Sequence, residues 1–316
     1  KEIEIPEMSQ ITVRITSQRG GPDETMLASH LPGGTLDQGS LRFTVEDEPA
    51  DVVIVLNYLK YDTRLTARRG YIWSWHNEPI NRKPFGKGFD RIFSHEKSPD
   101  RRVVEAPPIL DWWVEKSWDE LARLEPPQKT RNLSVIASDK SLIPGHRRRN
   151  DFVNLIEGSL PEADVFGQGR ARRLSDKWDG LAPYKYSVAI ENTSTTNYWT
   201  EKIADCFVSF TVPIYFGATN IGDYFPQKSF IWLPLEDSAR ALHTLQSAVN
   251  DDSWETRLPA IKQARRLILD EYSLYGQVSR RVKSEEGNIK VAPRICVFVH
   301  GRRTRPGGWV RHAGLR

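Results

Sequence analysis

The sequence predicts an α/β protein of two domains, each built on a mostly parallel sheet with helical cover. Three observations predict it. Short apolar runs ended by polar residues, such as residues 51–57 (DVVIVLN) and 132–138 (NLSVIAS), read as strands buried on both faces. These runs alternate with stretches of helical periodicity, the pattern that parallel sheets require. The chain has 316 residues, 39% hydrophobic and 27% charged, enough for two packed domains of ordinary size.

The elements follow in order. Residues 11–16 (ITVRIT) alternate as a strand, residues 51–57 form a second, and residues 71–75 (YIWSW) a third that runs into His76-Asn77-Glu78-Pro79. Residues 89–93 (FDRIF) are a short fourth, and the four belong to a first domain over residues 1–125. Pro107-Pro108 and Pro126-Pro127 bracket a piece containing Trp112, Trp113 and Trp118. Paired prolines disfavour helix and strand interiors, so residues 100–130 read as a linker. The second domain, residues 126–295, starts with strand 132–138 and a helix that begins at Arg147, Arg148 and Arg149 and continues through residues 150–156. Residues 164–169 (DVFGQG) read as a strand entering a glycine turn, residues 184–217 as strand, polar loop, helix and strand, and residues 229–233 (SFIWL) as a last strand. Leu242, Leu245 and Val249 mark one helical stripe, and Leu258, Ile261, Ala264, Ile268, Tyr272 and Tyr275 a longer one. Residues 296–316 form a basic tail carrying Arg302, Arg303, Arg305, Arg311 and Arg316. It reads as a solvated chain end, with contact to an anionic membrane surface or an acidic partner as the sharper alternative.

Several function classes are excluded at this level. No apolar run reaches the ~18 residues a spanning helix needs. The first residues, KEIEIPEM, lack the apolar core of a signal peptide, and a start at Lys1 reads as processed or truncated. Cys206 and Cys296 read as two buried thiols in a reducing compartment, which points to the cytoplasm. No Cys/His spacing suggests zinc. The net charge of +4, the interleaved acids and the lack of a recognition motif argue against nucleic acid. There is no GxxxxGK[ST] loop, no GxGxxG after a strand, no GxSxG elbow and no Asp-x-Asp pair to hold a metal against a nucleotide sugar; Glu46-Asp47-Glu48 reads as a loop cap.

Residues 184–217 (YKYSVAIENTSTTNYWTEKIADCFVSFTVPIYFG) carry the chemistry. Their polar residues gather where a strand ends and a helix begins, the edge at which open α/β sheets bind ligands. Glu191-Asn192 end the strand and can hold sugar or ribose hydroxyls, or simply lead into the loop. Thr200 suits the N-cap, which places Glu201 and Lys202 in the first helical turn. A lysine there opposes the helix dipole, a conflict that a bound phosphate would relieve. Arg147, Arg148 and Arg149 also sit at a helix start, where an arginine fork suits a diphosphate, although solvation accounts for two of the three. Glu78, at a strand end and held extended by Pro79, is a candidate general base, with His76 and His95 as alternatives and an ordinary loop acid as the plain reading.

Taken as written, this segment resembles the donor-binding signature of the α1,3/4-fucosyltransferase family (glycosyltransferase family 10), in the form its bacterial members show. The matching residues are Tyr184-Lys185-Tyr186, Ile190-Glu191-Asn192, Tyr198-Trp199-Thr200-Glu201-Lys202 and Val212-Pro213 through Gly217, with Tyr186 and Ile190 where the family has Phe. Support extends over residues 132–235 and includes Arg149-Asn150-Asp151-Phe152 and FGQG; the amino-terminal half matches only at Trp75-His76-Asn77-Glu78-Pro79. The resemblance implies a GT-B fold, two Rossmann-like domains facing each other across a cleft, with acceptor and GDP-fucose bound mainly by the first and second. It implies that Arg149 and Lys202 contact the diphosphate, that Asn192, Tyr198 and Glu201 hold the ribose and nearby groups, and that Glu78 is the catalytic base. The implied reaction is inverting transfer of L-fucose to an oligosaccharide, with no cofactor and no divalent metal required. Another GDP-sugar, or a nucleotide- or glycan-binding protein without turnover, are the alternatives.

Overall fold

The computed structural model describes residues 10–17, 23–78, 86–109 and 111–301. The chain divides into two compact units, one of residues 1–28, 35–105 and 279–316, the other of residues 29–34 and 106–278. The expected boundaries were 1–125, 126–295 and 296–316. Residues 106–125 instead join the second unit, and residues 279–301 join the first.

The first unit carries strands β1 (Ile11–Ser17), β2 (Asp37–Gln38), β3 (Leu41–Thr44), β4 (Val52–Leu56), β5 (Thr63–Arg68), β6 (Ile72–Trp75), β7 (Arg91–Ser94) and β8 (Val103–Glu105), with helix α1 (Glu24–Ser29) ending at the division. Seven of them form one sheet in the order β2-β3-β1-β4-β6-β7-β8. Every pairing in it is parallel except β2 with β3. Central β4 (VVIVL) is apolar at every position, as a strand buried on both faces must be.

The tryptophan-rich segment is not a linker. Helix α2 (Trp118–Arg123) forms there because Ser117 and Glu120 make a reciprocal capping box, and Trp112, Val114 and Leu121 pack into the second unit's core. The second unit continues with β9 (Arg131–Ile136), α3 (Pro144–Ser159), β10 (Asp164–Phe166), β11 (Tyr184–Ile190), α4 (Glu201–Val208), β12 (Val212–Phe216), β13 (Ile231–Trp232), α5 (Ser238–Asp251) and α6 (Trp254–Leu267). The long stripe expected to be one helix is split. A π-turn at Ile268–Tyr272 ends α6, and α7 (Leu274–Ser284) begins after it and crosses the division. The sheet order is β10-β9-β11-β12-β13 and all pairings are parallel. Alternation along β11 and β12 sends Tyr186, Val188, Ile190, Val212, Ile214 and Phe216 into a core with Phe152, Val153 and Leu245. Ala189 and Tyr215 face the other way, into a core with Ile203, Phe207 and Ala264. The unit is therefore a three-layer sandwich with α3 and α5 on one face and α2, α4 and α6 on the other.

The last described elements are α8 (Glu286–Val291) and β14 (Arg294–Val299). β14 pairs antiparallel with β5, which is why the chain end belongs to the first unit. Cys206 is buried as expected, but Cys296 is exposed, because alternate residues of the two-stranded β5-β14 ribbon face outward. The basic cluster from Arg302 onward lies outside the described residues.

Candidate donor-binding site

The strand order of the second unit reverses between β9 and β11. The chain goes from β9 outward to β10, then returns past β9 to β11 and continues the other way. Helices that follow the two central strands therefore leave from opposite faces, and a crevice opens at the carboxyl ends of those strands. A pocket of about 270 Å³ lies there. Ile136, Ala137 and Ser138 line it from β9 and its exit, and Ser187 through Ile190 from β11. Arg149, Glu201, Lys202 and Lys177 supply its charge.

Local sequence explains how each side chain arrives. Pro144 at the start of α3 fits the first turn, where its missing N–H costs nothing. Gly145 follows because the helix start presses on the loop after β11: a Cβ on Gly145 would lie 1.7 Å from the Asn192 carbonyl oxygen. That contact fixes α3 so that Arg147 and Arg148 are exposed while Arg149 turns inward, 7% exposed. The Arg149 fork donates to the Ser138 carbonyl at 3.0 Å, the Lys140 carbonyl at 3.4 Å and Asn192 Oδ1 at 3.3 Å. Its buried Nε has no partner. All three acceptors are neutral, so among the described residues this is a buried cation without a counter-charge. Burial and the nearby Arg170 charge pull its pKa down, and a bound anion would remove that cost.

The second cation is arranged differently. Thr200 caps α4, its Oγ1 accepting from the Lys202 N–H at 3.4 Å. Lys202 Nζ lies 2.8 Å from Glu191 Oε2 and 4.0 Å from Glu201 Oε1. Burial alone would lower the Lys202 pKa, but the Glu191 and Glu201 carboxylates outweigh it and hold the ammonium charged. The expected conflict between Lys202 and the helix dipole is thus answered partly by Glu191, and the stronger argument for an anion moves to Arg149. His146 sits beside the cations; burial, then Arg149, Lys202 and Lys140, push its pKa down.

A third cation escaped the sequence reading. Lys177 Nζ pairs with Asp205 Oδ2 at 2.6 Å, and Asp205 Oδ1 accepts the Trp113 N–H at 2.6 Å. Burial pulls Lys177 down, but Asp205 and Glu201 leave its pKa raised. The Lys177 ammonium lies 4.8 Å from the Trp113 ring centre, and Trp113 itself stays 55% exposed at the pocket. Asp205 could have been found, since it lies one helical turn after Glu201 and shares its face. Lys177 and Trp113 arrive only through tertiary folding.

The structure brings Arg149, Glu201 and Lys202 together around one pocket. Asn192 stands behind Arg149 as a hydrogen-bond acceptor rather than on the pocket wall. Tyr198 is packed inside at 3% exposure, and its carbonyl accepts from Tyr215 at 3.5 Å. Glu78 lies in the first unit, exposed, three residues past the end of β6 and next to Asn77, whose N–H donates to Asn57 Oδ1 at 2.7 Å. The alternative bases are both buried: His76 Nε2 lies 3.2 Å from Ser74 Oγ, and burial lowers the pKa of His95, after β7, to about 4. Among the described residues, no group of three or more His, Cys, Asp or Glu could hold a metal ion, and no helix is long and apolar enough to cross a membrane.

The family model of the glycosyltransferase family 10 (fucosyltransferase) C-terminal domain matches residues 126–255, which include β9 through α4 but not Trp113. An alpha-(1,3)-fucosyltransferase, FucT, of Helicobacter pylori is 31% identical over 144 residues, covering 42% of this chain and 29% of that protein. An alpha-(1,4)-fucosyltransferase of Arabidopsis thaliana is 47% identical over 95 residues, 28% of this chain and 24% of that protein. The chain thus spans less than a third of the length of these curated relatives. A solved alpha1,3-fucosyltransferase with GDP superposes with a TM-score of 0.52 at 17% identity, covering 87% of this chain and 94% of the other. The same enzyme type with GDP-fucose gives 0.50 at 15% identity over 87% and 95%. At these identities the likeness establishes the fold, which is of GT-B type. Residues 126–255 are thus similar to the C-terminal domain of glycosyltransferase family 10, the fucosyltransferase family.

Proposed function

We propose that this protein is an inverting fucosyltransferase that moves L-fucose from GDP-fucose to a hydroxyl of an oligosaccharide, forming an α-1,3 linkage to a GlcNAc-type sugar. One observation carries the reading: Arg149, a buried cation with only neutral partners, shares its pocket with Lys202 at the point where the sheet order reverses. A diphosphate supplies the missing charge, and the α4 N-terminus adds its dipole. The solved relatives that carry GDP and GDP-fucose support the choice of donor.

In this reading the acceptor oxygen attacks the anomeric carbon of fucose from the side opposite GDP. The new C–O bond forms as the bond to the β-phosphate oxygen breaks, and the acceptor proton passes to the Glu78 carboxylate. Arg149 and Lys202 stabilise the charge that grows on GDP. Glu201 contacts the donor from the pocket wall, while Asn192 and Tyr198 act by shaping the loop between β11 and α4. These cations do the work a divalent metal would otherwise do, so turnover should persist in chelator.

The test is incubation with GDP-fucose, then with other GDP-sugars, over an oligosaccharide panel, with products read by mass. A deoxyhexose increment from GDP-fucose alone supports the assignment. Transfer from a different GDP-sugar only would replace fucose, and GDP binding without any transfer would replace catalysis by binding. Glu78→Gln should abolish transfer and spare GDP affinity in calorimetry; surviving transfer would move the base elsewhere. The reading also places the protein in the cytoplasm, with the basic tail against anionic lipid at the membrane face, which cell fractionation and sedimentation with anionic vesicles test directly.

A further inference from the structure

Glu191 directly follows β11 and its side chain is fully buried. Room for it comes from Gly217, where a Cβ would lie 2.5 Å from Glu191 Cγ. The carboxylate accepts from the Thr200 N–H at 2.8 Å, from Thr200 Oγ1 at 2.9 Å on both oxygens, and from Lys202 Nζ at 2.8 Å. A buried carboxylate is costly unless its lone pairs are met, and here they are met by one residue pair at the start of one helix. Thr200 passes its hydroxyl proton toward Glu191 while its oxygen caps α4, and the same oxygen lies 3.3 Å from Lys202 Nζ. Carboxylate, cap and ammonium thus form a closed triangle. Glu191 is absent from the pocket wall, whereas Lys202 is on it.

We propose that Glu191 is a positioning residue: from behind the pocket, its carboxylate locks the α4 cap and aims the Lys202 ammonium at an anionic ligand. The inference rests on the reading of Lys202 as a diphosphate contact. A lysine on a flexible stem loses rotamer freedom when it binds, and Glu191 has removed that freedom beforehand. Glu191 also keeps Lys202 protonated against the neighbouring positive charges. The charged and titratable groups around Lys202 are Glu191 after β11, Glu201 from α4 itself, Arg149 and His146 from α3, and Lys177 from the turn before β11. Of these groups, Glu191 and Glu201 favour its charge and Arg149 opposes it.

The test uses the full chain and three variants. Glu191→Gln keeps shape and an acceptor oxygen but removes the charge. Thr200→Val removes the hydroxyl at constant shape, and Thr200→Ser restores it. Competitive acetylation of Lys202 against pH, read by peptide mass, reports its titration, and calorimetry with GDP reports affinity. In Glu191→Gln, Lys202 titrates at lower pH and the GDP Kd rises about tenfold or more. Thr200→Val weakens GDP in the same direction and Thr200→Ser matches wild type. A merely structural role would lower the melting temperature and leave the Lys202 titration where it was, and that result overturns the proposal. If Glu191→Gln does not fold, the Thr200 pair decides on the same two readouts, equal GDP affinity for Val and Ser overturning it. Should wild type bind neither GDP nor GDP-fucose, the donor reading fails, while Lys202 labelling still decides the role of Glu191.

Discussion

Replacing Arg149 by Met separates a ligand-binding cation from a structural one. In the free protein Arg149 is 7% exposed, its Nε has no partner and its fork meets only two carbonyls and an amide oxygen. Removing it leaves those acceptors at a wet pocket but also removes a buried cation with no counter-charge. The two effects oppose, so stability should change by no more than about 1 kcal/mol, which moves the melting temperature by roughly 2–4 °C. Binding behaves otherwise. A diphosphate taken up by two arginine N–H groups gains about 1.5–3 kcal/mol from each charge-assisted bond. Losing even about 3 kcal/mol weakens GDP roughly a hundredfold. Guanosine, which lacks the phosphates, should bind wild type and variant alike. Differential scanning fluorimetry supplies the first quantity and calorimetry with GDP and guanosine the second. A variant that melts far lower yet binds GDP normally would show that Arg149 is a strut, and the diphosphate argument would fall with it.

Asp205→Asn should cost about 1–3 kcal/mol in urea unfolding, because it leaves the half-buried Lys177 ammonium beside the Trp113 turn without its closest anion; adding Lys177→Met should recover most of the loss. Gly145→Ala should weaken GDP binding and lower the melting temperature together, since the added methyl meets the Asn192 carbonyl at 1.7 Å and displaces the α3 start that carries Arg149. His95 gives a pH signature. Its folded pKa, about 4 through burial, lies below its ordinary 6.5, so the unfolded chain binds the proton more tightly. Its contribution is full above pH 6.5 and is lost as pH falls toward 4, at most about 3 kcal/mol. His95→Phe should flatten that acid limb in urea melts at pH 7 and 4.5, and an unchanged slope would refute the assignment.

Strand placement was legible because burial on both faces leaves continuous apolar runs: residues 51–57 and 132–138 became β4 and β9 within a residue or two. The motif at residues 184–217 was legible for the same local reasons, an apolar strand, a Thr cap and an acidic first turn. The tryptophan segment misled because its prolines only flank it, while Ser117 and Glu120, which build α2, form a capping box that was there to be read. The outward face of Cys296 depends on a pairing between β5 and β14, far apart in the chain, which local pattern cannot express.

By itself, then, the sequence determined where the long buried strands and their cover helices lie, that the sheets are mostly parallel, and which short motif holds the polar residues, since these follow from neighbours within a turn or a pleat. Only the tertiary structure decided which of three arginines turns inward, that Lys202 meets Glu191, and that Lys177, Asp205 and Trp113 complete the wall. The physical reason is that burial and charge pairing are properties of surroundings. The cost of an unpaired cation at Arg149 exists only once α3, β9 and the loop after β11 have closed around it.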